Sequence, residues 1–141
     1  MKALPRNVLL AFIATGSAFL GACQSNEPGP GPLAFTAGNM AALPTMERIA
    51  RSAHTCWFGS KDPSFRSFRL ADELNSYSGR PRILLVPAGT PEARPLLVVH
   101  AEGNPARVEV FGPLMAHQAG SRIAADVQRW AGGSNACSGN A

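Results

Sequence analysis

The chain has 141 residues, of which 45% are hydrophobic and 16% are charged, which suits one small globular domain with a short additional segment. A second full domain does not fit within these residues. The formal net charge is +4, but Lys2 and Arg6 at the N-terminus account for half of it, and the remainder gives no support for nucleic-acid binding.

Residues 1–22 have the pattern of an export signal. Lys2 and Arg6 form a positively charged start, and the uncharged apolar run from Val8 to Leu20 has the length of a signal-peptide core. A transmembrane helix needs about 20 apolar residues, and this run ends earlier. The charged start and the small residues at the exit favour a signal peptide over a buried N-terminal helix of the core.

The residues Leu20-Gly21-Ala22-Cys23 resemble the lipobox of bacterial lipoproteins. In that family the cysteine thiol receives a diacylglycerol, the signal is cut immediately before the cysteine, and the new amino group is usually acylated as well. The resemblance, which covers residues 1–23 only, implies that Cys23 is the first residue of the mature protein and carries the membrane anchor. Two or three acyl chains attach durably to a membrane, whereas one chain binds only marginally.

Gln24, the residue after the cysteine, bears on which membrane holds the anchor. In enteric-type bacteria an Asp at this position resembles a signal for retention in the inner membrane. Its absence favours the outer membrane of a Gram-negative-type envelope, with the domain on the periplasmic side. The inner membrane and the cell surface stay open as alternatives.

Residues 24–44 are rich in Pro, Gly and other small residues, a composition that predicts a flexible tether. Together with the lipidated cysteine, the predicted tether covers residues 23–44, and it would extend over roughly 25 Å. The alternative is that Leu33, Ala34 and Phe35 dock on the domain or touch a partner.

The globular domain is predicted to cover residues 45–141 and to have a helix near each end. Thr45 is a suitable N-cap for the first helix, and Glu47 lies in its first turn, where a negative charge suits the helix dipole. The apolar positions of this helix recur at three- and four-residue spacing: Met46, Ile49, Ala50, Ala53 and Trp57. The second helix is predicted from near Ser121 to Gly132-Gly133, with an apolar stripe formed by Ile123, Val127 and Trp130.

Four segments between the helices have the composition and flanking turns of strands: Phe65 to Leu70, Arg82 to Val86, Leu96 to Ala101 and Ala106 to Phe111. The last two are predicted to form a hairpin centred on Gly103 and Asn104. Its apolar face would pair Ala101 with Ala106, Val99 with Val108 and Leu97 with Val110. Its mixed face would pair His100 with Arg107, Val98 with Glu109 and Leu96 with Phe111.

One apolar and one mixed face predict an α+β fold in the order helix, four-stranded antiparallel meander, helix, with both helices on one face of the sheet. Cys56 and Cys137 lie at the end of the first helix and just past the second. An exported chain favours a disulfide between them, with two free buried thiols as the alternative.

The sequence contains no recognisable catalytic motif: no Gly-x-Ser-x-Gly elbow, no His-Glu-x-x-His, no Gly-rich phosphate loop after a strand and no Ser-x-x-Lys. His54, His100 and His117 have plain interpretations on a helix flank, on the mixed strand face and before the second helix. Asp72 and Glu73 are adjacent, and neighbouring side chains of a strand point apart, so they are predicted to be solvated. No metal site or cofactor is expected, because His54 and Cys56 lack a second cluster of ligands.

One surface feature interleaves arginines with aromatic residues, and its candidate binding residues are Arg66, Arg69, Tyr77, Arg80 and Arg82. Guanidinium groups bind carboxylates or phosphates and stack on rings, so this patch could meet lipid headgroups, lipopolysaccharide, peptidoglycan or an acidic protein. The plainer interpretation, which the sequence favours, is that Phe65 and Phe68 belong to the core and the arginines keep a strand soluble.

Two classes of function remain. The first is a non-enzymatic binding or structural module of the cell envelope, held by its acyl chains. The second is a small envelope hydrolase whose site is assembled from scattered residues. A deep polar cleft that gathers Asp72, Glu73 and a histidine would favour the hydrolase, and a shallow face of arginine and aromatic residues would favour the binding module.

Overall fold

The structure is a computed structural model that describes residues 28–139. The predicted signal peptide and the lipobox with Cys23 lie outside the described residues. The strands are β1 (Leu33–Ala37), β2 (Phe68–Glu73), β3 (Arg82–Pro87), β4 (Leu97–Glu102) and β5 (Ala106–Phe111). The helices are α1 (Ala42–Ala53), a π-helical turn (His54–Gly59), two 3-10 turns (Pro63–Phe65 and Pro113–Ala116) and α2 (Ala119–Ala131).

The strands form one antiparallel sheet in the order β1-β5-β4-β3-β2. The predicted α+β class and the antiparallel meander of β2 to β5 are confirmed, but the predicted number of four strands was wrong, because β1 adds a fifth. Both helices pack against the inner face of the sheet, whose side chains are buried, while the outer face is partly exposed.

Strand β1 forms in a stretch that was predicted to be tether. Leu33, Phe35 and Ala37 face inward and pair with β5, whereas Ala34 and Thr36 are exposed. This alternation is a strand pattern with a period of two residues, hidden in the sequence by the Pro- and Gly-rich residues before it. Of the two readings of this stretch, docking on the domain is the one observed.

The β4–β5 hairpin is formed, but its predicted register was wrong by two residues. Val99 pairs with Val110 and His100 with Glu109, so the turn is centred on Asn104 and Pro105, which are joined by a cis peptide bond. Because side chains alternate with a period of two, a shift of two leaves every residue on its predicted face.

Backbone hydrogen bonds from outside the hairpin hold its turn. The Ala42 amide donates to the Gly103 carbonyl at 3.0 Å, and the Ala106 amide donates to the Met40 carbonyl at 2.8 Å. The turn therefore also fixes the position at which α1 begins.

Helix α1 begins at Ala42, so the predicted N-cap at Thr45 was wrong. Pro44 sits in the first turn, where its missing amide hydrogen would have had no helical partner. The Thr45 hydroxyl is buried and donates to the Ala41 carbonyl at 2.9 Å instead of capping the helix. Helix α2 begins two residues before the predicted Ser121.

The predicted disulfide is present. Cys56 in the π-helical turn is bonded to Cys137 beyond α2, with the two Cα atoms 5.2 Å apart. The buried carboxylate of Asp126 joins the same elements, because it accepts hydrogen bonds from the Trp57 indole at 2.9 Å and from Arg129 and Ser138. The C-terminal segment is thus fixed to the π-helical turn and to α2.

Candidate functional site

The predicted arginine and aromatic patch is divided between two ends of the β2–β3 pair. Arg66 follows a 3-10 turn and Arg69 lies on the outer face, opposite Val86. Tyr77 and Arg80 lie beyond the other end of β2, in the connection to β3. These residues therefore do not form one continuous surface.

Two of the five patch residues are already neutralised by carboxylates. Arg80 forms an ion pair with Glu102 at 3.0 Å, and the Arg82 guanidinium donates to Glu73. Tyr77 is fully exposed. Phe65, by contrast, is buried and stacks on Trp57, so the plainer interpretation is confirmed for this residue.

The β2–β3 loop encloses an open hollow of about 780 Å³. Asp72, Glu73, Arg82 and loop residues 74–78 line it. Asp72 and Glu73 each have a different partner, because Asp72 pairs with His54 and Glu73 with Arg82. Their side chains diverge as the strand geometry predicts, and the two carboxylates do not form an acid/base pair.

The three histidines lie apart from one another. His54 Nε2 is 2.8 Å from Asp72 Oδ2, with both side chains partly exposed. His100 Nε2 is 3.1 Å from Glu109 Oε2 on the outer face, where the predicted neighbour was Arg107. The hydrogen bond to His100 lowers the pKa of the Glu109 carboxyl below its usual value despite the opposing effect of desolvation, and Arg107 adds to the lowering. His117 ends a 3-10 turn and is exposed.

A second hollow, of about 290 Å³, was not predicted, and we call it the aromatic hollow. Four aromatic side chains line it: Trp57, Phe58, Phe65 and Phe68. Its charged residues are Lys61, Asp62 and Arg66. It therefore combines an apolar wall with two cations and one carboxylate.

The wall of the aromatic hollow is built by the π-helical turn and the residues that follow it. The Trp57 and Phe65 rings are stacked with centroids 4.6 Å apart, and the Phe58 ring is tilted against Phe65 at 6.2 Å. The indole of Trp57 is held by Asp126 from behind. These contacts hold the rings of Trp57, Phe58 and Phe65 in place.

The carboxylate of Asp62 is engaged by the protein itself. It accepts the Ser64 amide at 2.9 Å and forms an ion pair with Arg122, whose guanidinium also lies 5.5 Å above the Phe65 ring. Desolvation raises the pKa of Asp62, but the donors from Ser64 and Arg122 outweigh it, and the net pKa lies below the usual value. Asp62 is therefore ionised near neutral pH, and its negative charge is balanced by the Arg122 guanidinium.

The two cations of the aromatic hollow are free. Within residues 28–139, neither Lys61 nor Arg66 has a hydrogen bond or an ion pair through its side chain. Lys61 also has a φ of 56°. Among residues 28–139 it is the only residue other than glycine with a positive φ. Both side chains are exposed, so they are available to an anion.

Sequence reasoning counted Trp57 and Phe65 as core residues and Arg66 as part of a strand surface. The adjacent aromatics Trp57-Phe58, followed by Lys61 and the Phe65-Arg66 pair, were the available signal. Helical periodicity could not indicate a wall built by a π-helical turn, because it assumes 3.6 residues per turn.

In the described part of the chain, no three His, Cys, Asp or Glu side chains lie close enough together to hold a metal ion. The helices between residues 28 and 139 include none that is long and apolar enough to cross a membrane.

The chain matches no protein-family model, no curated protein and no solved structure.

Proposed function

We propose that this is a lipid-anchored protein of the cell envelope of a Gram-negative-type bacterium, and that its domain is a non-enzymatic binding or structural module facing the periplasm. The observation that carries the proposal is the use of the three cysteines. Cys56 and Cys137 are bonded to each other, so Cys23, in the lipobox, is the one cysteine of the sequence that this bond does not use. A structural disulfide also fits an exported protein.

The arrangement of charges supports a binding module. The carboxylates around the β2–β3 loop are each engaged by a neighbouring side chain: Asp72 by His54, Glu73 by Arg82 and Glu102 by Arg80. The acyl chains at Cys23 would hold the protein to the outer membrane. The domain would then contact another envelope protein, lipopolysaccharide or peptidoglycan.

Lipid labelling of the full chain in a Gram-negative host tests the anchor. A palmitate analogue should label the wild-type protein, and Cys23→Ser should leave an unlabelled, uncleaved precursor, because a thioether requires the sulfur. The double variant Cys56→Ala/Cys137→Ala is the matched control and should retain the label. Normal maturation of Cys23→Ser would refute the lipoprotein assignment.

The pair of His54 and Asp72 favours a second candidate, a small envelope hydrolase. A carboxylate that orients an imidazole is a common arrangement for a general base, and this pair lies beside the hollow of the β2–β3 loop. Incubation of the purified protein with cell-wall material decides between the candidates. A binding module gives no turnover, whereas turnover that is lost in His54→Ala would replace it with the hydrolase.

A further inference from the structure

We propose that the aromatic hollow binds an anionic amphiphile, an acyl chain that ends in a carboxylate or phosphate. This inference deepens the proposed function and rests on it, because it names the ligand class that the binding module takes. Three features of the hollow support it: the aromatic wall, the charge at its rim and the backbone geometry that builds both.

The wall suits an apolar chain. Ligand sites are mostly apolar with a few placed polar groups, and their volumes begin near 300 Å³. The aromatic hollow, at about 290 Å³, is just below this range, and of its four aromatic residues Phe58 and Phe68 are partly exposed while Trp57 and Phe65 are buried. A hollow of this size would take one end of a single chain and leave the remainder outside.

The rim suits an anion. Lys61 and Arg66 are exposed cations without partners among the described residues, and Arg66 can donate two parallel hydrogen bonds to a carboxylate or phosphate. Asp62, the one carboxylate of the hollow, is compensated by Arg122 and the Ser64 amide. The charge left for a ligand is therefore positive.

The backbone around the hollow is unusual at two positions. A π-helical turn, a rare element that occurs frequently at functional sites, carries Trp57 and Phe58. Lys61 has a left-handed conformation that glycine adopts without steric cost, and the Lys61 amide donates to the Phe58 carbonyl at 3.0 Å. Residues held in such conformations concentrate at ligand sites.

Photo-crosslinking of the full chain, purified from a Gram-negative host into phosphatidylcholine nanodiscs, tests the proposal. The probe is a fatty acid with a diazirine on its chain, and mass spectrometry locates the adducts. We expect adducts in residues 57–68 that octanoate competes away and octylammonium, a cation with the same chain, does not. A second arm with diazirine-labelled phosphatidylglycerol in the nanodisc distinguishes a bilayer lipid from a free acid as the source.

Variants assign the effect to the rim. Lys61→Gln/Arg66→Gln should lower the adduct yield about tenfold, since contacts to charged groups are worth roughly one decade of affinity or more. Arg94→Gln, which removes an exposed arginine from the β3–β4 connection, is the matched control and should leave the yield unchanged. Circular dichroism checks that each variant is folded.

Three results would overturn the proposal: adducts outside residues 57–68, equal competition by octylammonium, or equal yields from the double variant and wild type. This test is independent of the anchor. A chain that crosslinks in the hollow but takes no label at Cys23 would refute the lipoprotein assignment and keep the ligand site. A chain that is labelled at Cys23 but gives no adducts in the hollow would refute the ligand site and keep the lipoprotein assignment.

Discussion

At the scale of single residues, the aromatic hollow includes a side chain, that of Lys61, with no structural partner in the described part of the chain. Lys61 adopts a left-handed conformation in which an L-residue other than glycine is disfavoured by about 1 to 2 kcal/mol. Its side chain contributes no hydrogen bond or ion pair within the described residues. A residue that costs stability and gives none back through its side chain is the pattern expected where binding sets the residue type.

Lys61→Gly should therefore stabilise the domain. Glycine removes the steric cost, and the greater freedom of its unfolded chain offsets part of the gain, so we expect an increase of up to about 1 kcal/mol in the free energy of unfolding. Lys61→Gln removes the same charge but keeps the left-handed backbone of a residue other than glycine. Its melting temperature should therefore equal that of wild type. Thermal unfolding measures both, and a lower melting temperature for Lys61→Gly than for Lys61→Gln would contradict this account.

Asp62 gives the domain a dependence on acid. Because Ser64 and Arg122 hold its folded pKa below the unfolded value of about 3.9, its contribution to stability is present above that pH and is lost as the pH falls through the folded pKa. Asp62→Asn should be less stable than wild type at pH 6, and the difference should shrink below about pH 4. Urea unfolding at pH 6 and below about pH 4 measures the difference in the free energy of unfolding between the two proteins. A difference that does not change with pH would be incompatible with an ionised Asp62 paired with Arg122.

At the scale of elements, the sequence was informative where the pattern was regular. The apolar alternation of Val99, Ala101, Val108 and Val110 predicted the buried face of the hairpin, and the periodicity of Ile123, Val127 and Trp130 predicted α2. The register, the start of α1 and the π-helical turn could not be obtained in this way. They depend on contacts distant in sequence, such as the bonds from Ala42 and Met40 to the hairpin turn.

Strand β1 was missed because composition and pattern disagreed. Its flank is rich in Pro and Gly, which indicates a tether, yet Leu33, Phe35 and Ala37 alternate with Ala34 and Thr36 as a strand requires. The sheet favours the strand, because without β1 the edge of β5 would have unpaired backbone groups.

Phe35→Ala tests whether β1 belongs to the domain. Truncation of a fully buried Phe to Ala costs about 3 to 5 kcal/mol of stability. Because Phe35 is only partly buried, on an edge strand, we expect the free energy of unfolding to fall by about 1 to 3 kcal/mol. Ala34→Ser, on the exposed side of the same strand, should change stability by less than about 0.5 kcal/mol. A tether would predict no effect from either substitution, and urea unfolding separates the two outcomes.

At the scale of the whole molecule, the candidate sites differ in how far the sequence could indicate them. Arg66 was identified as a candidate binding residue, but its predicted companions Arg80 and Arg82 have carboxylate partners on other strands. Pairing of this kind depends on strand register, which one sequence does not determine. The residues that join Arg66 at the aromatic hollow come from the π-helical turn, the loop and 3-10 turn after it, and the first residue of β2.

The disulfide between Cys56 and Cys137 connects the segment that carries the hollow to the residues beyond α2, and the domain depends on it for stability. It closes a loop of 81 residues in sequence, for which the chain-entropy model gives about 4 kcal/mol, a large share of the stability of so small a domain. Cys56→Ala/Cys137→Ala should therefore lose about that amount in urea unfolding, and the single variant Cys56→Ala should lose a similar amount, since either change opens the loop. Because Cys56 is adjacent to Trp57 in the π-helical turn, the double variant should also lose photo-crosslinking in the hollow at temperatures where wild type retains it. Thiol trapping of the denatured, unreduced wild-type chain provides the check on the premise: reactive thiols at Cys56 and Cys137 would show that the bond is absent, and the predicted loss of stability would then have no basis.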